Sequence, residues 1–312
     1  MIPLVQLPLG VWQALTVGLG DHVQGTFVRM GAGAHVAGAV ALIGVLICIV
    51  KGLWSAILVR RLLWLFGGIL LFIFPVLADA KQAIIAFLPA LILLMITLKL
   101  LPMNRLIVVL TSIGIAILVA FSYYPPLQRS TDWSLVGGGV LGKVQGFAIV
   151  ANRLSDNPGF WLLGLGPGNS VSRVALMGLQ TYVKSSSPVY LLGLSAAPTT
   201  QKIWAMTSSN WLFASSSVWS GISSWLGLFG DLGLVGLFLY LWMSWKLWHA
   251  LKGYTRWEAA IAKAVMVMSG LLGAMYSWLE EPGFTLVVAT VVGLGVTACK
   301  EEDDSVQDPE RP

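Results

Sequence analysis

GAGAHVAGAVALIGVLICIV, residues 31–50, is a run of twenty residues without a single Asp, Glu, Lys or Arg. A helix needs about 20 apolar residues to cross the hydrocarbon layer of a membrane, because its backbone groups have no water to bond there. This stretch therefore predicts a membrane-spanning helix. The whole chain agrees with that prediction, since 57% of its residues are hydrophobic, 11% are charged and its mean hydropathy is +0.81. Such a composition excludes an ordinary water-soluble domain.

Six further apolar runs predict further spans, so that the expected fold is an all-α integral membrane protein with about seven transmembrane helices. The seven predicted spans are roughly 31–50, 62–78, 82–98, 106–122, 225–245, 260–279 and 283–299. Between the fourth and the fifth of them lies one long segment without a comparable run. A connection of that length is more often functional than idle.

The positions of the basic residues predict the orientation of the spans. Every second connection is basic, and its cations are Lys51, Arg60 and Arg61, then Lys99 and Arg105, then Lys246, Lys252 and Arg256. Cytoplasmic connections carry an excess of Lys and Arg, so these three are expected inside. The net charge of +5 has the same explanation, and no basic patch interleaved with aromatic residues predicts a nucleic-acid partner.

This orientation divides the chain into four parts. Residues 1–122 hold an extracytoplasmic amino-terminal segment and spans one to four, and 123–224 form a large extracytoplasmic loop. Residues 225–299 hold spans five to seven, and 300–312 form a polar cytoplasmic tail. An outside amino terminus without a signal sequence suggests an unusual first insertion, or a chain that begins partway through a larger protein.

Local composition predicts the structure of two segments outside the spans. Pro3, Pro8 and Gly10 are expected to interrupt the apolar amino-terminal segment, which resembles neither a signal peptide nor a clean span. Within the large loop, a short helix is expected around 138–155. The stretch 185–224 is rich in Ser, Thr and Pro and predicts irregular structure. A re-entrant piece within it is the alternative, because 189–194 and 203–213 are locally apolar.

The sharpest chemical signal is the glycine-rich stretch LLGLGPGNSVSR, residues 162–173. Glycines and a proline this close together predict a tight loop whose backbone N–H groups, at Gly166 and Gly168 for example, can approach an anion. Arg153 and Arg173 bracket the loop and would add planar cationic groups. A plain turn at the membrane surface is the alternative interpretation.

A second set of charged residues comes from distant parts of the chain and is expected on the same side of the membrane. Its members are His22, Arg29, Asp79, Lys81, Glu280 and Glu281. The cations, Arg29 and Lys81 among them, could hold a diphosphate, and a carboxylate such as Glu280 could accept a proton from an attacking hydroxyl. Ordinary loop charges are the alternative. Asp231 lies about six residues into an apolar run, where a carboxylate is costly and therefore a functional candidate. It could equally cap a helix that starts after a re-entrant break.

No metal or other cofactor is predicted. Cysteine, histidine and carboxylate side chains nowhere follow the spacing of metal ligands. The two cysteines, Cys48 and Cys299, each lie near the cytoplasmic end of a predicted span, where they are expected to stay reduced.

Four stretches, taken in order, resemble the O-antigen ligase and O-antigen polymerase superfamily of bacterial envelope glycan enzymes. GDHVQGTF (20–27) resembles the Gly-Thr-Phe stretch that precedes a span, and ADAKQAIIAFLPALILLM (78–95) resembles a short outer loop and the helix after it. NPGFWLLGLGPGNSVSR (157–173) resembles the Gly-x-Gly-Pro-Gly segment of the large loop. SSWLGLFGDLGLVGLF (223–238) resembles the span that leaves this loop. Together they cover most of 20–300.

The resemblance implies an architecture like that of the C-type glycosyltransferases and a location in the bacterial plasma membrane. It implies transfer or polymerisation of a glycan from an undecaprenyl-diphosphate-linked oligosaccharide at the outer face, without a metal. Membrane lipids, a chain-length regulator and a flippase are the expected partners. The resemblance implies that Arg153 and Arg173 bind the diphosphate with help from Arg29 and Lys81. Together with the local arguments above, it leads us to assign Arg153, Arg173, Asp231 and Glu280 to catalysis. Those assigned to the diphosphate are Arg29, Lys81, Gly166 and Gly168.

The sequence departs from the family in two respects. Ligases carry a histidine about eleven residues before the glycine of the Gly-Leu-x-Gly pattern, whereas the corresponding position here is Ile222 and 123–224 contains no histidine. This argues against the ligase branch and favours a polymerase-like or uncharacterised branch, or a loss of activity. Family members also have ten to twelve or more spans. A transporter or flippase component, and an inactive relative that acts as a scaffold, remain alternative functions.

Overall fold

The computed structural model describes residues 2–27, 33–99, 133–172, 175, 196–209, 222–251, 256–276 and 278–307. Every regular element in these ranges is helical. Helices α1 to α5 are Ile2–Thr16, Gly33–Trp54, Leu58–Leu77, Lys81–Thr97 and Trp133–Leu154. Helices α6 to α10 are Pro158–Leu163, Pro198–Ser209, Ser224–Ala250, Trp257–Met275 and Pro282–Gln307. Two short 3₁₀ turns, Gly20–His22 and Trp278–Glu280, complete the list for these ranges.

Five of these helices are long and apolar enough to cross a membrane, namely α2, α3, α8, α9 and the part of α10 that ends at Lys300. They indicate a multi-pass membrane protein and correspond to five of the predicted spans. The predicted span 82–98 corresponds to α4, a shorter apolar helix of 17 residues. The predicted span 106–122 lies outside the described residues.

The chain forms two compact units. The first consists of Met1–Leu110, Leu247–Leu272 and Pro282–Pro312, and the second of Thr111–Lys246 and Gly273–Glu281. In the first unit, α2 is apolar on all sides and packs against α1, α3 and α4, as a helix without a polar face must. Gly38 permits this packing, because a Cβ there would lie 2.6 Å from the Cβ of Ala80. Much of α3, by contrast, exposes large apolar side chains that suit contact with lipid.

The amino-terminal segment forms helix α1, so the prediction that prolines and Gly10 interrupt it was wrong. Pro3 lies in the first turn, where a helix has no use for the missing N–H. Gly10 allows close packing, because a Cβ there would lie 2.3 Å from Cε2 of Phe74. Gln13 adds polar contacts, since its Oε1 accepts N–H bonds of 2.8 and 2.7 Å from Gln24 and Gly25. Tertiary packing thus offsets the low helix propensity of these residues.

The core of the second unit forms where α5, α6, α7 and the start of α8 meet. Its buried members are Val150, Leu154, Val171, Ile203, Ile222, Leu226 and Phe229. Helix α5 includes the predicted helix around 138–155 and begins earlier, at Trp133. The prediction of irregular structure over 185–224 was wrong for Pro198–Ser209, which forms α7. A proline at the first position is compatible with a helix, and Ile203 is buried in this core.

Candidate functional site

The glycine-rich loop that follows α6 forms the tight turn that its sequence predicts. Gly164, Gly166 and Gly168 have φ values of 77, 91 and 80°, in the left-handed region that favours glycine. Helix α6 ends at Leu163, and the N–H of Gly164 bonds to the carbonyl of Phe160 at 2.7 Å. The loop therefore turns sharply just after a six-residue helix.

The loop binds to Asp231, which lies in α8 and is only 5% exposed. Gly168 donates its N–H to Oδ2 at 2.7 Å, and Ser170 donates its N–H to Oδ1 at 2.9 Å. The hydroxyl of Ser170 also donates to Oδ1. Three donors surround the carboxylate, which is the arrangement that makes a buried anion tolerable. The anion that this loop approaches is thus a side chain of the protein itself.

Backbone contacts dock the same loop onto α8 next to the carboxylate. The N–H groups of Leu165 and Gly166 donate to the carbonyls of Gly230 and Asp231 at 2.8 and 3.0 Å. At Gly233 the backbone of α8 is not helical, with φ 65° and ψ −164°. A Cβ on Gly233 would lie 2.5 Å from the nitrogen of Gly164, so this position has room for glycine alone. Helix α8 therefore consists of two pieces, on either side of Gly233.

A cavity of about 310 Å³ lies beside this junction. It is lined by Pro167, Ser172, Ser224, Gly227, Leu228, Asp231, Leu232, Tyr240, Leu279 and Glu280. The α8 positions 224, 227, 228 and 231 follow the spacing of one helix face. Glu280 enters from the 3₁₀ turn, and its Oε1 would lie 2.9 Å from a Cβ on Gly227. The cavity thus brings Asp231 and Glu280 together with two serine hydroxyls between mostly apolar walls.

Hydrogen bonds fix the turn that carries Glu280. The backbone N–H and the hydroxyl of Ser224 both donate to the carbonyl of Tyr276 at 2.8 Å. The same hydroxyl accepts the N–H of Leu279 at 3.0 Å. Ser224 is buried and is the first residue of α8. One side chain therefore ties the start of this helix to the turn that precedes Glu280.

The predicted cations are placed as follows. Arg153 forms an ion pair with Asp156, and both side chains are about half exposed, at 50 and 52%. Arg153 is not among the residues that line the cavity. Lys81 lies in the first unit and forms an ion pair of 3.2 Å with Asp79. Arg29 and Arg173 lie outside the described residues, so their predicted roles stay predictions.

Sequence reasoning missed Lys143, which lies on α5 outside the candidate spans. Its Nζ donates to the carbonyl of Ile222 and, at 3.0 Å, to the carbonyl of Met275, the last residue of α9. Burial lowers the pKa of Lys143 from its ordinary value of 10.5 to about 7. The sequence around Lys143 contains no pattern that predicts its burial, because both of its carbonyl partners are remote in sequence.

In the described parts of the chain, no three His, Cys, Asp or Glu side chains are grouped so that they could hold a metal ion. Comparison with protein-family models, with curated proteins and with solved structures gives no match for this chain.

Proposed function

We propose that this chain transfers a glycan from an undecaprenyl-diphosphate carrier to an acceptor hydroxyl at the outer face of a bacterial plasma membrane. The observation that carries the proposal is the cavity in which Glu280 and the loop bound to Asp231 meet between apolar walls. The proposal includes seven spans, one large extracytoplasmic loop and an architecture like that of the C-type glycosyltransferases.

The proposed reaction needs no metal. The bond between the anomeric carbon of the sugar and the diphosphate oxygen breaks, and the lipid diphosphate leaves with its electron pair. The acceptor oxygen forms the new bond to the anomeric carbon, and its proton passes to the carboxylate of Glu280. A diphosphate is already a good leaving group, so fixed cations and aligned reactants can supply much of the rate enhancement.

The proposal gives Glu280 and Asp231 different roles. The carboxylate oxygens of Asp231 accept three hydrogen bonds from the loop, so this residue acts as a positioning residue. Glu280 is the proposed general base. Arg173 directly follows Ser172, which lines the cavity, and is proposed to bind the diphosphate with Arg153. The N–H groups of Gly166 and Gly168 already donate to Asp231, so these two glycines are not proposed to bind the diphosphate. Arg29 and Lys81 stay predicted diphosphate ligands.

The test is deletion of the gene, followed by gel analysis of the surface polysaccharide and complementation. The deletion is expected to shorten or abolish a surface glycan, and the wild-type gene to restore it. Glu280→Gln should lower polymer formation about a hundredfold or more, since a general base contributes on that scale. Glu301→Gln, on the carboxyl-terminal tail, is the matched control and should complement fully. An unchanged glycan after deletion would refute the proposed function.

A flippase component is the second candidate, and one observation favours it. Lys263 lies in the middle of α9, a candidate span, and is only 8% exposed. Its Nζ lies 5.9 Å from the ring centroid of Trp248. Buried cations within spans often mark substrate pathways. Proteoliposomes that move a fluorescent prenyl phosphate between leaflets, and lose this movement with Lys263→Met, would support a flippase over a transferase.

A further inference from the structure

A second cavity, of about 700 Å³, lies on the opposite face of the first piece of α8. It is lined by Lys143, Phe147, Trp161, Ser223, Trp225, Leu226, Phe229, Leu234, Leu237 and Leu241. The second cavity is lined by positions 225, 226 and 229 of α8. With 3.6 residues per turn, these positions lie on the face opposite to the positions that line the first cavity. All of these residues belong to the second unit. This cavity is therefore separate from the one that contains Glu280.

The wall of this cavity is apolar and aromatic. The rings of Phe147 and Phe229 stack with centroids 5.9 Å apart, and the ring of Trp161 is 5.8 Å from that of Phe229. Packed rings of this kind form a rigid surface that favours a hydrocarbon or aromatic body. Leu234 and Leu241, on the second piece of α8, are 46 and 49% exposed. An apolar molecule in the surrounding lipid can therefore reach the cavity along a candidate span.

Lys143 gives this apolar cavity one ionisable group. Its Nζ is held by the carbonyls of Ile222 and Met275, so the position of the amine is fixed before any ligand arrives. Both of these partners are neutral, and burial disfavours the charged form of the lysine. An anionic group brought to Nζ would compensate that charge, and an ion pair in apolar surroundings is stronger than one in water.

We propose that this cavity binds an amphiphile with one hydrocarbon chain and one anionic group, which forms an ion pair with Lys143. The anionic group is a carboxylate, as in a fatty acid, or a monophosphate ester, as in a lysophosphatidate. The volume of the cavity lies within the range of about 300 to 1,000 Å³ that is usual for small-molecule sites. The inference concerns the face of α8 that is turned away from Glu280, so it does not depend on the proposed transferase.

Native mass spectrometry of the purified full chain in a non-ionic detergent tests the proposal. Oleate, oleoyl lysophosphatidate and oleyl alcohol are titrated separately, since they share one chain and differ in the head group. Oleate or oleoyl lysophosphatidate is expected to bind at least tenfold more tightly than the alcohol, on the scale of a hydrogen bond to a charged group. The tighter of the two acidic lipids identifies the head group.

Three variants locate the site. Lys143→Met should reduce binding of the preferred acidic lipid to that of the alcohol, and Lys143→Arg should retain most of it. Leu237→Trp fills the cavity while it keeps the lysine, and it should weaken binding of all three lipids. Lys202→Met, at an exposed position on α7, is the matched control and should bind as the wild type does.

Two results would overturn the proposal. If oleyl alcohol binds the wild-type chain as tightly as both acidic lipids, the cavity does not select an anion. If Leu237→Trp, folded as judged by its circular dichroism, binds oleate with unchanged affinity, the lipid occupies another place. Leu237→Trp tests the location even if Lys143→Met fails to fold.

Discussion

Replacement of Asp231 by Asn should release the glycine-rich loop while the size of the side chain stays almost the same. Oδ1 of Asp231 accepts two hydrogen bonds from Ser170, and Oδ2 accepts one from Gly168. The amide of Asn can keep its oxygen at the first position. Its NH₂ group then faces the N–H of Gly168, so that two donors meet and neither has an acceptor there.

The expected cost follows from the type of bond that is lost. A hydrogen bond to a charged group contributes about 1.5 to 3 kcal/mol, and a buried donor without an acceptor costs a further 1 to 3 kcal/mol. We therefore expect Asp231→Asn to destabilise the docked loop by roughly 3 kcal/mol. Asp231→Ala removes all three bonds and should cost roughly 5 kcal/mol, because the gain from no longer burying a carboxylate offsets part of the loss.

Hydrogen–deuterium exchange measures the docking of the loop directly. Since each 1.4 kcal/mol is a factor of ten, a loss of about 3 kcal/mol should speed exchange at Gly168 and Ser170 about a hundredfold. Asp156→Asn is the matched control, because Asp156 is exposed and its carboxylate pairs with Arg153. Exchange of the peptide that covers 164–172 at the wild-type rate in Asp231→Asn would refute the assignment of the carboxylate as the anchor.

Three further predictions concern stability, measured by thermal unfolding in detergent. Gly233→Ala should cost more than 2 kcal/mol because of its positive φ and its 2.5 Å contact, whereas Gly293→Ala, with open space around it, should be neutral or stabilising by up to about 1 kcal/mol. Gln13→Ala should cost about 2 to 4 kcal/mol, since it leaves buried backbone groups without partners. The stability of the wild-type chain relative to Lys143→Met should fall as the pH falls from 10.5 to about 7, because in this range the unfolded lysine binds a proton that the folded lysine lacks. The full loss is at most about 5 kcal/mol. A stability difference that does not change with pH would contradict this prediction.

Hydropathy predicted the helices of this fold well because the requirement for a span is local. A run of about 20 apolar residues satisfies its own backbone, whatever surrounds it. Reasoning from the content of Pro, Gly, Ser and Thr failed for α1 and α7, where local composition argues against a helix. Packing decides there: Gly10 lies against Phe74, and Ile203 is buried in the core of the second unit. Tertiary contacts of this kind leave no periodic signal in a short window.

The candidate site was predictable in its parts and not in its pairing. Glycines in the stretch 162–173 predicted a tight loop, and the structure has a loop there with positive φ at three glycines. The apolar surroundings of Asp231 marked it as exceptional. The hydrogen bonds between the loop and Asp231 could not be inferred, since more than 60 residues separate Gly168 from Asp231. Lys143 was not predicted either, because its hydrogen-bond partners are also far from it in sequence.

The loop and the break in α8 explain each other through their backbone hydrogen bonds. In a continuous helix, the carbonyls of Gly230 and Asp231 would accept from residues four positions later. The non-helical Gly233 interrupts that ladder, and the two carbonyls accept from Leu165 and Gly166. Non-helical backbone within a span is tolerated only where other protein groups satisfy it. The glycine-rich loop supplies those groups, so a substitution that undocks the loop should destabilise the broken span as well.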